Sequence, residues 1–259
     1  MAVLQVTDPN TIAPLFAGRE DTLIWSYLQG CMGEAFADDL QEPQSAVICV
    51  GGFMFFAGRP DPEMVAVKPA SFTFDCVLMV PPSRDWEEVI EAVLGERAHR
   101  WVRYATKKDK TAFDLEELAQ YAAGLPPGFE LRPIDKELYD RILKLPWAWD
   151  MCGHFPSCEA FAAHALGFVI LHQGEVVAGA STYSYYHGGI EVEIDTRQDY
   201  RRRGLATICG AALILECLAR GLYPNWDAHN RESIALAQKL GYVFDREYTC
   251  YEVYPWRSL

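Results

Sequence analysis

The sequence lacks the features that mark several common classes of protein. It has no run of about 18 apolar residues, so no segment is expected to span a membrane. The first residues, MAVLQVTDPN, have neither the basic nor the apolar region of a secretory leader, which favours a cytoplasmic location. Basic residues are few: 23 lysines and arginines stand against 36 aspartates and glutamates, for a formal net charge of −13. Such a surface repels phosphate backbones, so nucleic acid is not expected as a partner, and it is compatible with a cationic substrate.

Recognisable disulfide and zinc patterns are also absent, although the chain has eight cysteines. Several lie inside apolar runs, among them Cys49 and Cys209, where free cysteine packs as a small hydrophobe. Cys152, His154 and Cys158 are possible metal ligands, but their spacing fits no structural zinc motif and no second pair lies nearby. We therefore expect free thiols and no metal site.

The clearest break in the chain is Gly124-Leu125-Pro126-Pro127-Gly128. Glycine suits a left-handed helix end at Gly124, and the two prolines prevent the helix from continuing. We place a domain boundary here, with a smaller α/β domain over residues 1–125 and a second domain over residues 126–259.

The first half is predicted to be mixed α/β. A helix is expected over Thr22 to Met32, and Gly51-Gly52 joins the strands SAVICV and FMFFAG as a hairpin. The strand FDCVLMV, an acidic helix opened by Ser83 and the strand HRWVRYAT follow. No catalytic constellation stands out here. This favours a packing or oligomerisation role and leaves open a degenerate copy of the second half.

The second half is more sharply patterned. Three strands, Gly167 to Leu171, Val176 to Tyr185 and Ile190 to Thr196, are separated by polar turns, which predicts an antiparallel meander. An apolar helix from Leu205 to Arg220 follows. A short strand, a helix capped by Asn230 and C-terminal strands from Tyr242 to Tyr254 complete the chain.

The segment Arg201-Arg202-Arg203-Gly204-Leu205-Ala206 lies between a strand and a helix. Free N–H groups and the dipole at the start of a helix favour an anion, and Gly204 has no side chain to block its approach. The sequence has neither the G-x-x-x-x-G-K-[ST] phosphate loop nor the G-x-G-x-x-G dinucleotide turn. The pattern R-x-x-G-x-A alone is also explained by an exposed basic turn.

The order of elements adds specificity. The meander, R-x-x-G-x-A with its helix, and then Asn-x-x-Ser leading to Lys-Leu-Gly-Tyr resemble the GCN5-related N-acetyltransferase (GNAT) family over about 130 residues. The stretches GIEVEIDT, YRRRGLAT and LAQKLGY look like the branch that includes zwittermicin A resistance acetyltransferases. The resemblance implies a mixed, mostly antiparallel sheet flanked by helices. It also implies acetyl-CoA as acetyl donor and a bacterial enzyme that acetylates an amine, such as that of an aminopolyol antibiotic.

The resemblance also implies a cofactor site. Backbone groups of Ile194 and Thr196 are expected to pair with the pantetheine arm, and those of Arg202 to Thr207 to hold the pyrophosphate. Asn230 is expected to meet the pantetheine, although a plain helix cap explains it equally well. The full expected set is Ile194, Asp195, Thr196, Arg201, Arg202, Arg203, Gly204, Leu205, Ala206, Thr207, Asn230 and Ser233.

A proton must leave the acceptor amine, and a carboxylate near the pocket can take it. Strand alternation places Glu191, Glu193 and Asp195 on one face. That face is either solvated or an acidic floor that attracts the amine and supplies the base, with Glu193 as first candidate and Glu191 as second.

The family often has a tyrosine one turn into the last helix as proton donor to the departing thiolate, but here that position is Ala237. Tyr183 or Tyr242 replaces it, or water protonates the thiolate.

The acceptor site is expected near the WAWD and NWDAHN segments. Trp149, Asp150, Asp227 and Tyr183 are the candidate substrate contacts, against the alternative that the tryptophans are ordinary core residues. The expected partners are acetyl-CoA and a small cationic amine, in a monomer or homodimer. The open alternatives are a non-catalytic acyl-CoA sensor and a protein or peptide N-acetyltransferase.

Overall fold

A computed structural model describes residues 3–73 and 75–256. The strands in this range are β1 (Leu4–Val6), β2 (Glu34–Ala37), β3 (Ser45–Val50), β4 (Phe53–Gly58), β5 (Val77–Val80), β6 (Ala98–Thr106), β7 (Phe129–Pro133), β8 (Gly167–His172), β9 (Glu175–Tyr186), β10 (Gly189–Thr196), β11 (Tyr223–Asn225), β12 (Asp227–Ala228) and β13 (Phe244–Val253). The helices are α1 (Thr22–Leu28), α2 (Pro62–Val65), α3 (Arg84–Leu94), α4 (Leu115–Ala123), α5 (Lys136–Ile142), α6 (Cys158–His164), α7 (Leu205–Ala219) and α8 (Arg231–Lys239).

The chain forms two compact units. One comprises the stretch up to Arg103 together with the stretch from Glu247 onward, and the other is Tyr104–Arg246. This division differs from the boundary expected after Leu125, because α4 buries Leu118 in the core of the second unit against α7. Gly124 ends α4 with φ −78°, so the left-handed helix end expected there is not formed.

The first unit is built on strands in the order β1-β2-β3-β4-β5-β13. The hairpin expected at Gly51-Gly52 is confirmed, with φ +58° and +89° at the two turn residues. Of the expected strand FDCVLMV, Phe74 lies outside the described residues and β5 begins at Val77. The expected C-terminal strands form the single strand β13, which pairs Tyr251–Val253 with Val77–Met79.

The second unit contains a sheet in the order β11-β10-β9-β8-β7, and the meander expected over β8, β9 and β10 is confirmed. Helix α7 is apolar on most faces and packs on the sheet through the core that includes Ile190. At Gly210 the helix also approaches Leu240, since a Cβ there would lie 2.7 Å from Leu240 Cδ1 and the leucine side chain would have to shift. The mixed α/β class with helix-flanked, mostly antiparallel strands is as predicted.

Both units share one topology. In each, four consecutive strands pair antiparallel, and the fourth then pairs parallel with the fifth, as β4 with β5 and β10 with β11. The helix between these parallel strands has four residues in the first unit and fifteen in the second. Across the described part of the chain, no helix is long and apolar enough to cross a membrane.

Candidate active site

Strands β10 and β11 separate after a short pairing. Gly189–Glu191 pairs with Tyr223–Asn225, after which β10 continues beside β9 alone and β12 pairs with β6 instead. Among the described residues, the part of β10 beyond Glu191 therefore has no strand neighbour on its β11 side. Such an edge can pair with the amide groups of an extended ligand.

The turn before α7 has an unusual backbone. Arg202 has φ +59° and Gly204 has φ +79°, and Gly204 directly precedes the helix. Left-handed residues among right-handed ones aim successive N–H groups into one concavity, and the first N–H groups of a helix have no intrahelical acceptor. A Cβ added at Gly204 would meet no atom within 4 Å, so the turn is open to a ligand. This geometry suits a pyrophosphate.

Two of the three arginines brace this turn. Arg201 Nε donates to the Thr196 carbonyl at 3.1 Å and its Nη2 lies 3.5 Å from Asp195 Oδ1, while the Arg203 guanidinium lies over the Tyr200 ring, 4.7 Å from its centroid. The Thr196 N–H donates to Asp195 Oδ1 at 2.6 Å. The carbonyl and the N–H of Thr196 are thus both hydrogen-bonded within the chain. To pair with a ligand as expected, these groups must give up the bonds to Arg201 and Asp195.

Glu191 is a buried carboxylate that holds two neighbouring strands. It is only 5% exposed, its Oε2 accepts from Asn225 Nδ2 at 2.6 Å, and its Oε1 accepts from the Asp227 N–H at 2.9 Å. The Asp227 N–H, at the start of β12, therefore donates to the Glu191 side chain and not to the backbone of β10. This arrangement fits a positioning role, and the burial of Glu191 argues against a solvated face at this position. Glu193, the first candidate, is partly buried on the same face.

The second motif is engaged within its own unit. The Asn230 side chain accepts from the Ser233 N–H at 2.9 Å, so it is a helix cap. The Ser233 hydroxyl accepts from Trp226 Nε1 at 3.1 Å, and Trp226, at 2% exposed, is a core residue. Asp227 lies on β12 and is linked to the site by its bond to Glu191.

Three of the four expected substrate contacts lie together. The His154 ring packs against both Trp149 and Tyr183, with centroids 5.3 Å and 4.1 Å away, and its Nε2 lies 3.1 Å from Asp150 Oδ1. The backbone at Gly153 packs directly on the Trp149 ring, because a Cβ at Gly153 would overlap that ring. The sequence pattern indicates His154 only as a possible metal ligand. Its four-residue separation from Asp150 was the available signal for this pairing.

Asp195 links this cluster to the turn before α7. Burial raises the pKa of the Asp195 carboxyl, and the nearby Asp150 charge raises it further, while the Thr196 N–H and Arg201 act in the opposite direction. The carboxyls of Asp150 and Asp195 are thus close enough to interact, and together they favour a cation beside them.

The structure separates the two candidate proton donors. The Tyr242 hydroxyl donates to the Pro224 carbonyl at 2.6 Å in a fully buried position, and burial raises its pKa well above the ordinary value. Tyr242 is therefore tied into the core, whereas Tyr183 is partly exposed beside His154. Ala237 is itself fully buried.

Comparisons with known proteins agree with this geometry. The GNAT acetyltransferase family profile matches residues 13–251, which extend over both compact units. The uncharacterised N-acetyltransferase YdfB of Bacillus subtilis (strain 168) is 29% identical over 97% of this chain and 99% of its own. The crystal structure of a GCN5-related N-acetyltransferase-like protein from Streptococcus suis 89/1591 is 43% identical, with a TM-score of 0.90 over 95% of this chain and 98% of that one.

A tandem GNAT protein from the clavulanic acid biosynthesis pathway shares the fold, with a TM-score of 0.55 at 11% identity over 98% of this chain and 99% of that one. The chain belongs to the GNAT family, and it is an acetyltransferase.

Proposed function

We propose that the protein transfers the acetyl group of acetyl-CoA to an amine of a small, cationic molecule by direct attack in a ternary complex. The observation that carries this proposal is the open anion turn at the start of α7, beside the part of β10 after Glu191, whose β11 side has no strand neighbour among the described residues. The two features offer N–H groups for a pyrophosphate and a strand edge for a pantetheine amide.

In this reaction the amine nitrogen attacks the thioester carbonyl carbon, the C–S bond breaks, and the CoA thiolate takes up a proton. Backbone groups of Ile194 and Thr196 align the pantetheine, and the N–H groups of the turn hold the pyrophosphate. Glu193, directly or through water, takes the proton that the amine loses. Tyr183 or water supplies the proton to the thiolate.

The acceptor side is assigned to Trp149, Asp150, Tyr183 and Asp227. Carboxylates beside aromatic rings attract a cation both by charge and through the ring faces. The sequence resemblance to the zwittermicin A resistance branch suggests an aminopolyol antibiotic as acceptor, in a cytoplasmic bacterial enzyme that is a monomer or homodimer.

Two other functions remain candidates. Ala237, in place of the tyrosine donor, favours a non-catalytic acyl-CoA sensor, which would bind acetyl-CoA but release no free thiol with any amine. Protein or peptide N-acetylation would show as robust transfer to a peptide array.

We further propose that the first unit is a degenerate copy of the second. The shared strand topology supports this, and so does the reduction of the helix after its fourth strand to four residues. That unit then serves packing rather than cofactor binding.

The test is calorimetric titration with acetyl-CoA, followed by an assay of free CoA release with a panel of amines. Gly204→Glu places a side chain and a negative charge in the anion turn and is expected to abolish binding. Gly188→Glu is the matched control, because Gly188 also has positive φ and open space but lies in the β9–β10 turn. Unchanged affinity in folded Gly204→Glu would refute the site, and binding without release would favour the sensor.

A further inference from the structure

A row of buried polar residues crosses three strands at the point where β10 and β11 part. Ser184 on β9 pairs with Glu191 on β10, and Glu191 pairs with Asn225 on β11. All three are at least nine-tenths buried, at 0%, 5% and 5% exposed. Asn225 is the last residue of β11, so it lies at the closed end of the gap between the strands.

Chemistry fixes the orientation of the Asn225 amide. A carboxylate accepts hydrogen bonds and cannot donate when ionised, so the group facing Glu191 Oε2 at 2.6 Å must be the NH₂ group. The other Glu191 oxygen is taken by the Asp227 N–H. Asn225 Oδ1 is therefore held in place as an acceptor, and it has no hydrogen-bond partner among the described residues. Buried acceptors are rarely left without a donor.

We propose that Asn225 Oδ1 accepts a hydrogen bond from the nitrogen of the acceptor amine, with Glu191 as the residue that positions it. An acceptor beside a carboxylate repels anions and suits a ligand that donates N–H and carries positive charge. A primary or secondary amine meets both conditions. This inference rests on the proposed function, because it assigns the acceptor of that reaction to the closed end of the gap.

The experiment separates amine binding from cofactor binding. Ethanolamine, spermidine and kanamycin are compared as acceptors, and the one that gives the fastest CoA release with the wild type is the probe. The KM for this amine and the Kd for acetyl-CoA are measured for Asn225→Ala and Asn225→Thr. Threonine keeps a donor for Glu191 but lacks Oδ1, so it guards against a loss of folding in the alanine variant.

We expect Asn225→Thr to raise the KM for the amine about ten-fold or more, the loss associated with one hydrogen bond to a charged donor. The Kd for acetyl-CoA should stay within about two-fold of the wild-type value. The matched control is Ser184→Ala, which removes from the same row a buried hydroxyl that likewise has no hydrogen-bond partner among the described residues. Its KM should be unchanged.

An unchanged KM in Asn225→Thr would overturn the proposal, as would a parallel loss of acetyl-CoA affinity, which would assign Oδ1 to the cofactor. An equal rise in the KM of Ser184→Ala would attribute the effect to packing and would also overturn the proposal.

If the wild type releases CoA with none of the amines, the proposed function fails separately. The Asn225 side-chain ¹⁵N signal, identified by its loss in Asn225→Ala, is then followed during titration of the CoA-saturated protein with methylammonium. A saturable shift supports the amine site, and no shift refutes it.

Discussion

Replacing Glu191 by glutamine distinguishes a residue that holds strands from one that moves protons. Glutamine keeps one accepting oxygen and places a donor where the second oxygen stood, facing either Asn225 Nδ2 or the Asp227 N–H. One hydrogen bond to a charged acceptor is lost and one buried donor is left without a partner. At about 1.5–3 kcal/mol for the bond, we expect the free energy of unfolding to fall by about 2–4 kcal/mol.

That loss corresponds to a decrease in Tm of about 4–16 °C for a protein of this size. Thermal and urea unfolding at pH 7, followed by circular dichroism, measure it alongside kcat. The control is Glu193→Gln, on the same strand face but partly exposed, for which kcat should fall while Tm is retained. A Glu191→Gln variant with wild-type stability and a collapsed kcat would refute the positioning role and make Glu191 the base.

Two further variants test the site. Tyr242→Phe leaves the Pro224 carbonyl without its donor, so the free energy of unfolding should fall by about 1–3 kcal/mol with kcat unchanged. The opposite pattern in the same unfolding and kinetic assays would make Tyr242 the donor to the thiolate. Folding raises the pKa of Asp195, so wild-type stability falls as the pH rises from the unfolded-state pKa through the folded value. Asp195→Asn should therefore raise Tm at pH 7, with the gain vanishing below about pH 4, and equal Tm values at pH 7 would contradict this.

Local patterns predicted most of the elements near the site. The apolar run after Gly204 predicts α7, and the polar turns between strands predict the meander of β8, β9 and β10. The Asn230 cap followed from its position before an amphipathic helix. These features depend on residues close in sequence, where propensity and periodicity act directly.

Long-range pairing explains what the sequence did not reveal. The alternation of side chains along β10 predicts that Glu191 shares a face of the strand with Glu193 and Asp195. Its burial, however, depends on β11 and β12, which bring Asn225 and Asp227 against it. For the same reason the sequence pattern does not single out Asn225. The register shift between Glu191 and Val192, which pair with Ser184 and Thr182 of β9, is likewise set by the partner strand.

The return of β13 to the first unit has a consequence for how the protein is made. Tyr251 and Val253 belong to the same core as Trp86 and Met79, so that core is incomplete until the ribosome has translated β13. At 5–20 residues per second, synthesis of the intervening unit takes on the order of ten seconds. During that time β5 lacks its neighbour β13 and presents an exposed strand edge, and exposed edges promote aggregation. A stop codon between β12 and β13 would thus damage a unit whose other strands had already been translated.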